Sequence, residues 1–140
     1  MRRPRPPGTI VRSCADLTDL WESLMGPGGF GTTSLWLVFL DATDRLQPVI
    51  VPIDDLPPEP DDAFLRGVCV VVTELIEDGA AASVAMLLSR PGPAEVTGPD
   101  RRWALALRAE LRDLATAWPM HLATYGRVRV LAPDDLLAAG

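Results

Sequence analysis

The chain contains no lysine and no asparagine. All 13 basic residues are arginines, and Ala, Pro, Gly and Val are abundant, as in proteins from GC-rich bacterial genomes. Histidine occurs once, at position 121, and cysteine twice, at 14 and 69. Two cysteines so far apart make neither a CxxC metal pair nor a disulfide framework. No apolar run reaches the roughly 18 residues that a membrane-crossing helix needs, so no membrane partner is expected. The arginines at the start precede no apolar stretch of the kind a secretory signal requires, which makes the cytoplasm the expected compartment.

What is present reads as one ordinary domain. A chain of 140 residues, 48% hydrophobic and 23% charged, is long enough to bury a real core. Its net charge of −6 is uneven. Arg2, Arg3, Arg5 and Arg12 give the first twelve residues +4, while nine arginines against 19 acids leave the remainder at −10. An acidic body repels nucleic acid, since duplex binding rests on several phosphate contacts from basic side chains, so no nucleic-acid partner is expected. Residues 1–12 read as a flexible, basic, Pro-rich arm, and 13–140 as a single domain.

Ser13 to Asp16 has capping-box spacing, and Leu17, Leu20, Trp21 and Leu24 then repeat at helical spacing. GPGGFGTT (26–33) is a loop. Leu35 to Leu40 is an apolar run of strand length, and Leu46 to Ile53 a second strand, joined by a turn at 41–45. Pro48 and Pro52 assign that second strand to a sheet edge. After an acidic, Pro-rich link, a helix is predicted over 62–78 with an apolar stripe of Phe64, Leu65, Val68, Cys69, Val72, Leu75 and Ile76; a strand is the alternative for GVCVVV. Ser83 to Leu88 is a short buried strand. Thr97 to Asp100 opens a helix whose stripe, Trp103, Leu107, Leu111, Leu114 and Trp118, runs to Pro119. Met120–Thr124 and Arg127–Leu131 are two closing strands, and PDDLLAAG a frayed terminal turn. Helices alternating with strands predict an α/β domain, a sheet of about five strands covered by helices.

This order and several phrases resemble the RadC-like branch of the JAB/MPN metalloprotease superfamily. SLWLVFLDATDRLQPVIVP is similar to that family's hairpin, SVAMLLSRPG to its strand and Pro-bearing loop, TGPDRRWALALRAEL to its S-x-x-D helix start, and WPMHLATYGRVRVL to its closing strands. The resemblance spans roughly residues 34–131 and implies a three-layer, cytidine-deaminase-like mixed sheet. The family's zinc site needs two His, one Asp and a Glu base. One alignment puts the His positions at Leu87 and Ser89, and another at Leu88 and Arg90; neither supplies a histidine. The Glu position falls on Ser34. Only Asp100 remains as a potential ligand, with Thr97 at the Ser position, and Thr97-x-x-Asp100 is equally a capping box. No metal site, no cofactor and no catalytic residue is therefore expected.

Other residues give weaker signals. His121 reads as structural or surface, and Cys69 as a buried small hydrophobe. Asp54, Asp55, Glu59, Asp61 and Asp62 lack the spacing of a calcium loop and read as a solvated link with helix-start acids. Arg101, Arg108 and Arg112 read as a solvated helix face. The glycine-rich GPGGFG lacks the Lys-Ser/Thr of a P-loop. The reading is a non-catalytic JAB/MPN-like domain, a scaffold that associates with a protein partner or with itself. One alternative is a sensor that binds an anionic small molecule in the former cleft through Ser34, Ser89, Arg90, Thr97 and Asp100. The other is an enzyme whose chemistry does not involve zinc.

Overall fold

In a computed structural model, residues 9–25, 31–79, 81–112, 116–125 and 127–132 are described. They form three helices, α1 (Cys14–Met25), α2 (Asp62–Glu77) and α3 (Gly98–Leu111). The strands are β1 (Ser34–Leu40), β2 (Leu46–Ile53), β3 (Ser83–Ser89), β4 (Thr116–Ala117), β5 (His121–Thr124) and β6 (Arg127–Val130). One mixed sheet runs β2-β1-β3-β5-β6, with β4 also on β3. β1 is antiparallel to both β2 and β3, β3 is parallel to β4 and β5, and β6 returns antiparallel to β5.

Alternation along the strands sends residues to two separate cores. Leu35, Leu37 and Phe39 of β1 and Val84, Met86 and Leu88 of β3 face α2 and α3. There they meet Leu65, Val68 and Val72 of α2 and Trp103, Leu107 and Leu111 of α3. The alternate set, Val38, Leu40, Ala85, Leu87 and Ala123, packs on Leu17, Leu20 and Trp21 of α1. β3 is buried along its whole length, so its sequence is apolar without alternation. Edge strand β2 instead alternates half-buried Val49, Val51 and Ile53 with exposed Pro48, Ile50 and Pro52.

Capping fixes where the helices begin. At α1, Ser13 Oγ accepts from the Asp16 N–H at 3.1 Å, but Asp16 reaches past Ser13 to the Arg12 N–H at 3.0 Å. At α2, Asp61 accepts from the Ala63 N–H at 2.8 Å. The GVCVVV segment lies inside this helix, because its 3.6-residue spacing places Val68 and Val72 in the core and leaves Val70 in solvent. Cys69 is half-buried, where a buried small hydrophobe was expected.

Two boundaries differ from the sequence expectation. α3 ends at Leu111, not at Pro119, and Trp118 lies beyond it. The Trp118 N–H donates to the Val84 carbonyl at 3.1 Å and its indole N–H to Ser83 Oγ at 3.2 Å. Pairing with β3 outweighs the helical periodicity that Trp118 continues on paper. Register on β3 then slips by one residue, from Val84↔Ala117 to Leu87↔His121, so 118–120 bulge around Pro119, which has no N–H for the ladder. At the other end, Thr9 to Val11 belong to the domain and not to the arm. Val11 is buried, its N–H donates to the Asp44 carbonyl, and the Thr9 carbonyl accepts from Leu46. The rest of the arm (1–8), most of the GPGGFGTT loop (26–30), Leu114 and the PDDLLAAG tail lie outside the described residues.

Candidate functional site

Where β3 ends, the chain turns through a Pro/Gly loop and enters α3. Arg90 is the first residue past the strand, with its N–H on the Ala123 carbonyl of β5 at 3.0 Å. Its side chain folds back into the loop and is only 8% exposed. Nε donates to Asp100 at 2.8 Å and 3.0 Å, and Nη2 donates to Asp100 Oδ2 at 2.7 Å and to the Glu95 carbonyl at 2.8 Å. Nη1 donates to the carbonyls of Pro91 at 3.0 Å and Pro93 at 2.8 Å. A guanidinium has five N–H donors in a fixed fork, and each of Arg90's five has an acceptor within its own loop and the first turn of α3.

Asp100 is equally engaged. While paired with Arg90, its Oδ2 accepts from the Thr97 N–H at 2.9 Å, and Thr97 Oγ1 accepts from the Asp100 N–H at 3.3 Å. The capping box expected from the sequence is therefore present, and its carboxylate carries the loop arginine as well. Gly92 makes this wrap sterically possible. Its φ is +99°, and a Cβ there would stand 3.3 Å from Arg90 Nη1.

Ser34 and Ser89 lie elsewhere. They are paired across β1 and β3, on the α1 side of the sheet. Ser34 Oγ donates to Asp54 at 2.7 Å, and Ser89 Oγ accepts from the Trp36 indole at 2.9 Å. Of the five residues singled out from the sequence, the structure joins Arg90, Thr97 and Asp100 into one network and gives Ser34 and Ser89 separate partners. The acidic link resolves into single roles: Asp54 holds Ser34, Asp61 caps α2, and Glu59 pairs with Arg102 at 2.6 Å. Among the described residues no group of three or more His, Cys, Asp or Glu is placed to hold a metal ion. No helix among them is long and apolar enough to cross a membrane.

Sequence reading understated His121. It is completely buried under α1, and its Nε2 lies 2.7 Å from Thr18 Oγ1. Thr18 Oγ1 also lies 2.9 Å from the Cys14 carbonyl one turn back along α1. Nδ1 makes no well-formed hydrogen bond. Desolvation lowers the histidine's pKa from 6.5 to about 4, against a weaker opposing pull from the Pro119 carbonyl. The ring is neutral at pH 7. It acts as a structural residue that joins β5 to α1. Only its burial signals this role, and a lone His in a strand cannot report burial.

No protein-family model matches the chain, and no curated protein matches it.

Proposed function

We propose that the chain is a non-catalytic JAB/MPN-like domain that works as a protein-interaction or scaffold module. One observation carries this reading: the buried, fully hydrogen-bonded Arg90–Asp100 pair. In the alignment that matches Pro91, Arg90 stands where the resemblance calls for a metal-binding histidine, and Asp100 stands at the ligand aspartate. A guanidinium there supplies the positive charge that a cation would bring to Asp100, and it repels any metal. The network ties together loop and helix with no group left over for chemistry. Such a centre maintains a fold rather than turning over a substrate.

Binding an anion through Arg90 would require breaking contacts to three carbonyls and a carboxylate, which weighs against the sensor reading. The decisive experiment combines metal analysis with reciprocal affinity purification of the tagged chain. The expected result is no stoichiometric zinc and recovery of a stoichiometric protein complex in both directions. Zinc at one per chain, or a monomer without a stoichiometric partner, overturns the proposal.

A further inference from the structure

α2 carries three features that the packing of a single chain does not account for. Its inward face, Leu65, Val68 and Val72, is buried against the sheet. On the opposite face Val70, in the middle of the helix, is 55% exposed. Gly67 is exposed one turn earlier, and a Cβ there would meet nothing within 4 Å. A glycine inside a helix costs roughly 1 kcal/mol relative to alanine. No contact within the chain calls for that cost.

Charge is the third feature. Glu74, Glu77 and Asp78 stand exposed at the C-terminal end of α2, whose last turn has no basic residue. The negative end of the helix dipole disfavours acids there. Arg66 is exposed toward the other end of the same helix. Among the described residues, no ion pair or side-chain hydrogen bond engages Arg66, Glu74 or Glu77.

The spacing suits a copy of the same helix. Arg66 and Glu77 are eleven residues apart, so they fall within about 20° of one line along α2, separated by a rise of about 16 Å. Val70 lies between them, and Gly67 and Glu74 form the other flank of this face. A two-fold axis normal to a pair of antiparallel helices keeps each flank on its own side. It sets Arg66 of one copy against Glu77 of the other, twice, with both Val70 side chains between them. On the other flank Gly67 meets Glu74 of the second copy and lets the backbones approach. A parallel pair would set like charges together, and a uniformly acidic or basic partner helix would satisfy only one end of the pattern.

We propose that α2 docks through its outward face on α2 of a second copy, as an antiparallel pair about a two-fold axis. This deepens the interaction-module reading, on which it rests, by naming the partner and the surface.

The test is sedimentation equilibrium of the full chain over a wide concentration range, with variants at exposed positions of α2. A monomer–dimer equilibrium is expected. Arg66→Glu and Glu77→Arg each bring like charges together and are expected to weaken the dimer at least about tenfold. An equimolar mixture of these two variants makes every pair opposite again and is expected to recover a 1:1 dimer. Gly67→Leu has room in the single chain and favours the helix, so it is expected to raise the unfolding temperature of the dilute protein and yet to weaken the dimer at least about tenfold. A dimer that all three variants leave intact lies on another surface, which overturns the α2 assignment and leaves the module reading standing. A mixture of the two charge variants that stays monomeric overturns the pairing and the proposal with it. A chain that is monomeric at every concentration but purifies with a different stoichiometric protein also overturns it, again leaving the module reading. A monomer with no stoichiometric partner removes both.

Discussion

Among the described residues, a buried polar centre lies on each side of the sheet, Arg90–Asp100 on one and His121 on the other, and they are built to different standards. Under α3, Arg90 and Asp100 satisfy each other, three loop carbonyls and the helix cap. Under α1, His121 has one partner and one orphan nitrogen, and the buried indole N–H of Trp21 is unpartnered as well. Complete satisfaction makes a centre rigid and costly to break one group at a time, whereas an unpaired buried polar atom costs stability from the outset. The difference predicts that α3 belongs to the rigid part of the fold and that α1 loosens first.

The strongest way to break the contrast is Arg90→Ala. It strands a buried carboxylate, so denaturant unfolding is expected to show a loss of about 3–5 kcal/mol, most of it recovered in Arg90→Met/Asp100→Leu, which removes both charges. A small effect of Arg90→Ala alone would show that the pair is not structural.

The α1 side is probed by acid. His121 has a folded pKa near 4, below its unfolded value of 6.5, so the unfolded chain binds the extra proton between these pH values. Stability is full above about 6.5, falls as pH drops through this window and is fully lost from this group below 4, a total of ~3 kcal/mol. His121→Leu is expected to remove that share of the pH dependence, and hydrogen exchange at pH 5 to open α1 before α3. An acid profile identical in the two proteins would remove His121 as its source.

Smaller effects sharpen the comparison. Thr97→Ala deletes only the bond from the Asp100 N–H to Thr97 Oγ1 and is expected to cost about 1 kcal/mol in thermal unfolding, well short of Arg90→Ala. Glu59→Gln removes the partner of Arg102 on the surface, and a change of under ~0.5 kcal/mol is expected, because both side chains are open to solvent. A larger loss would show that this ion pair helps fix the 54–62 link.

Much of this architecture is written locally. The apolar run of β3, the prolines of the β2 edge, the α2 stripe and the Thr97–Asp100 box each follow from periodicity or from one residue's backbone chemistry, and each is found where those rules place it. The α3 boundary was not legible, because Trp118 continues a helical stripe in sequence while its partners, Val84 and Ser83, lie some 35 residues away. Thr9 to Val11 were hidden for the same reason, since their partners sit in the β1–β2 turn and at the start of β2. The candidate site was legible only in part. The sequence singled out Arg90 and Asp100 but could not show that they bond to each other.

By itself, then, the sequence determined the alternation of helices and strands, the edge placement of β2 and the cap of α3. It also determined that the chain has a single histidine, at position 121. These depend on contacts within a few residues or on which side chains exist at all. The tertiary structure alone decided that Arg90 turns inward to saturate five donors, that His121 is neutral and half-satisfied, and that Trp118 leaves the α3 stripe to pair with β3. Burial and long-range register fix those properties, and neither can be computed from neighbours along the chain.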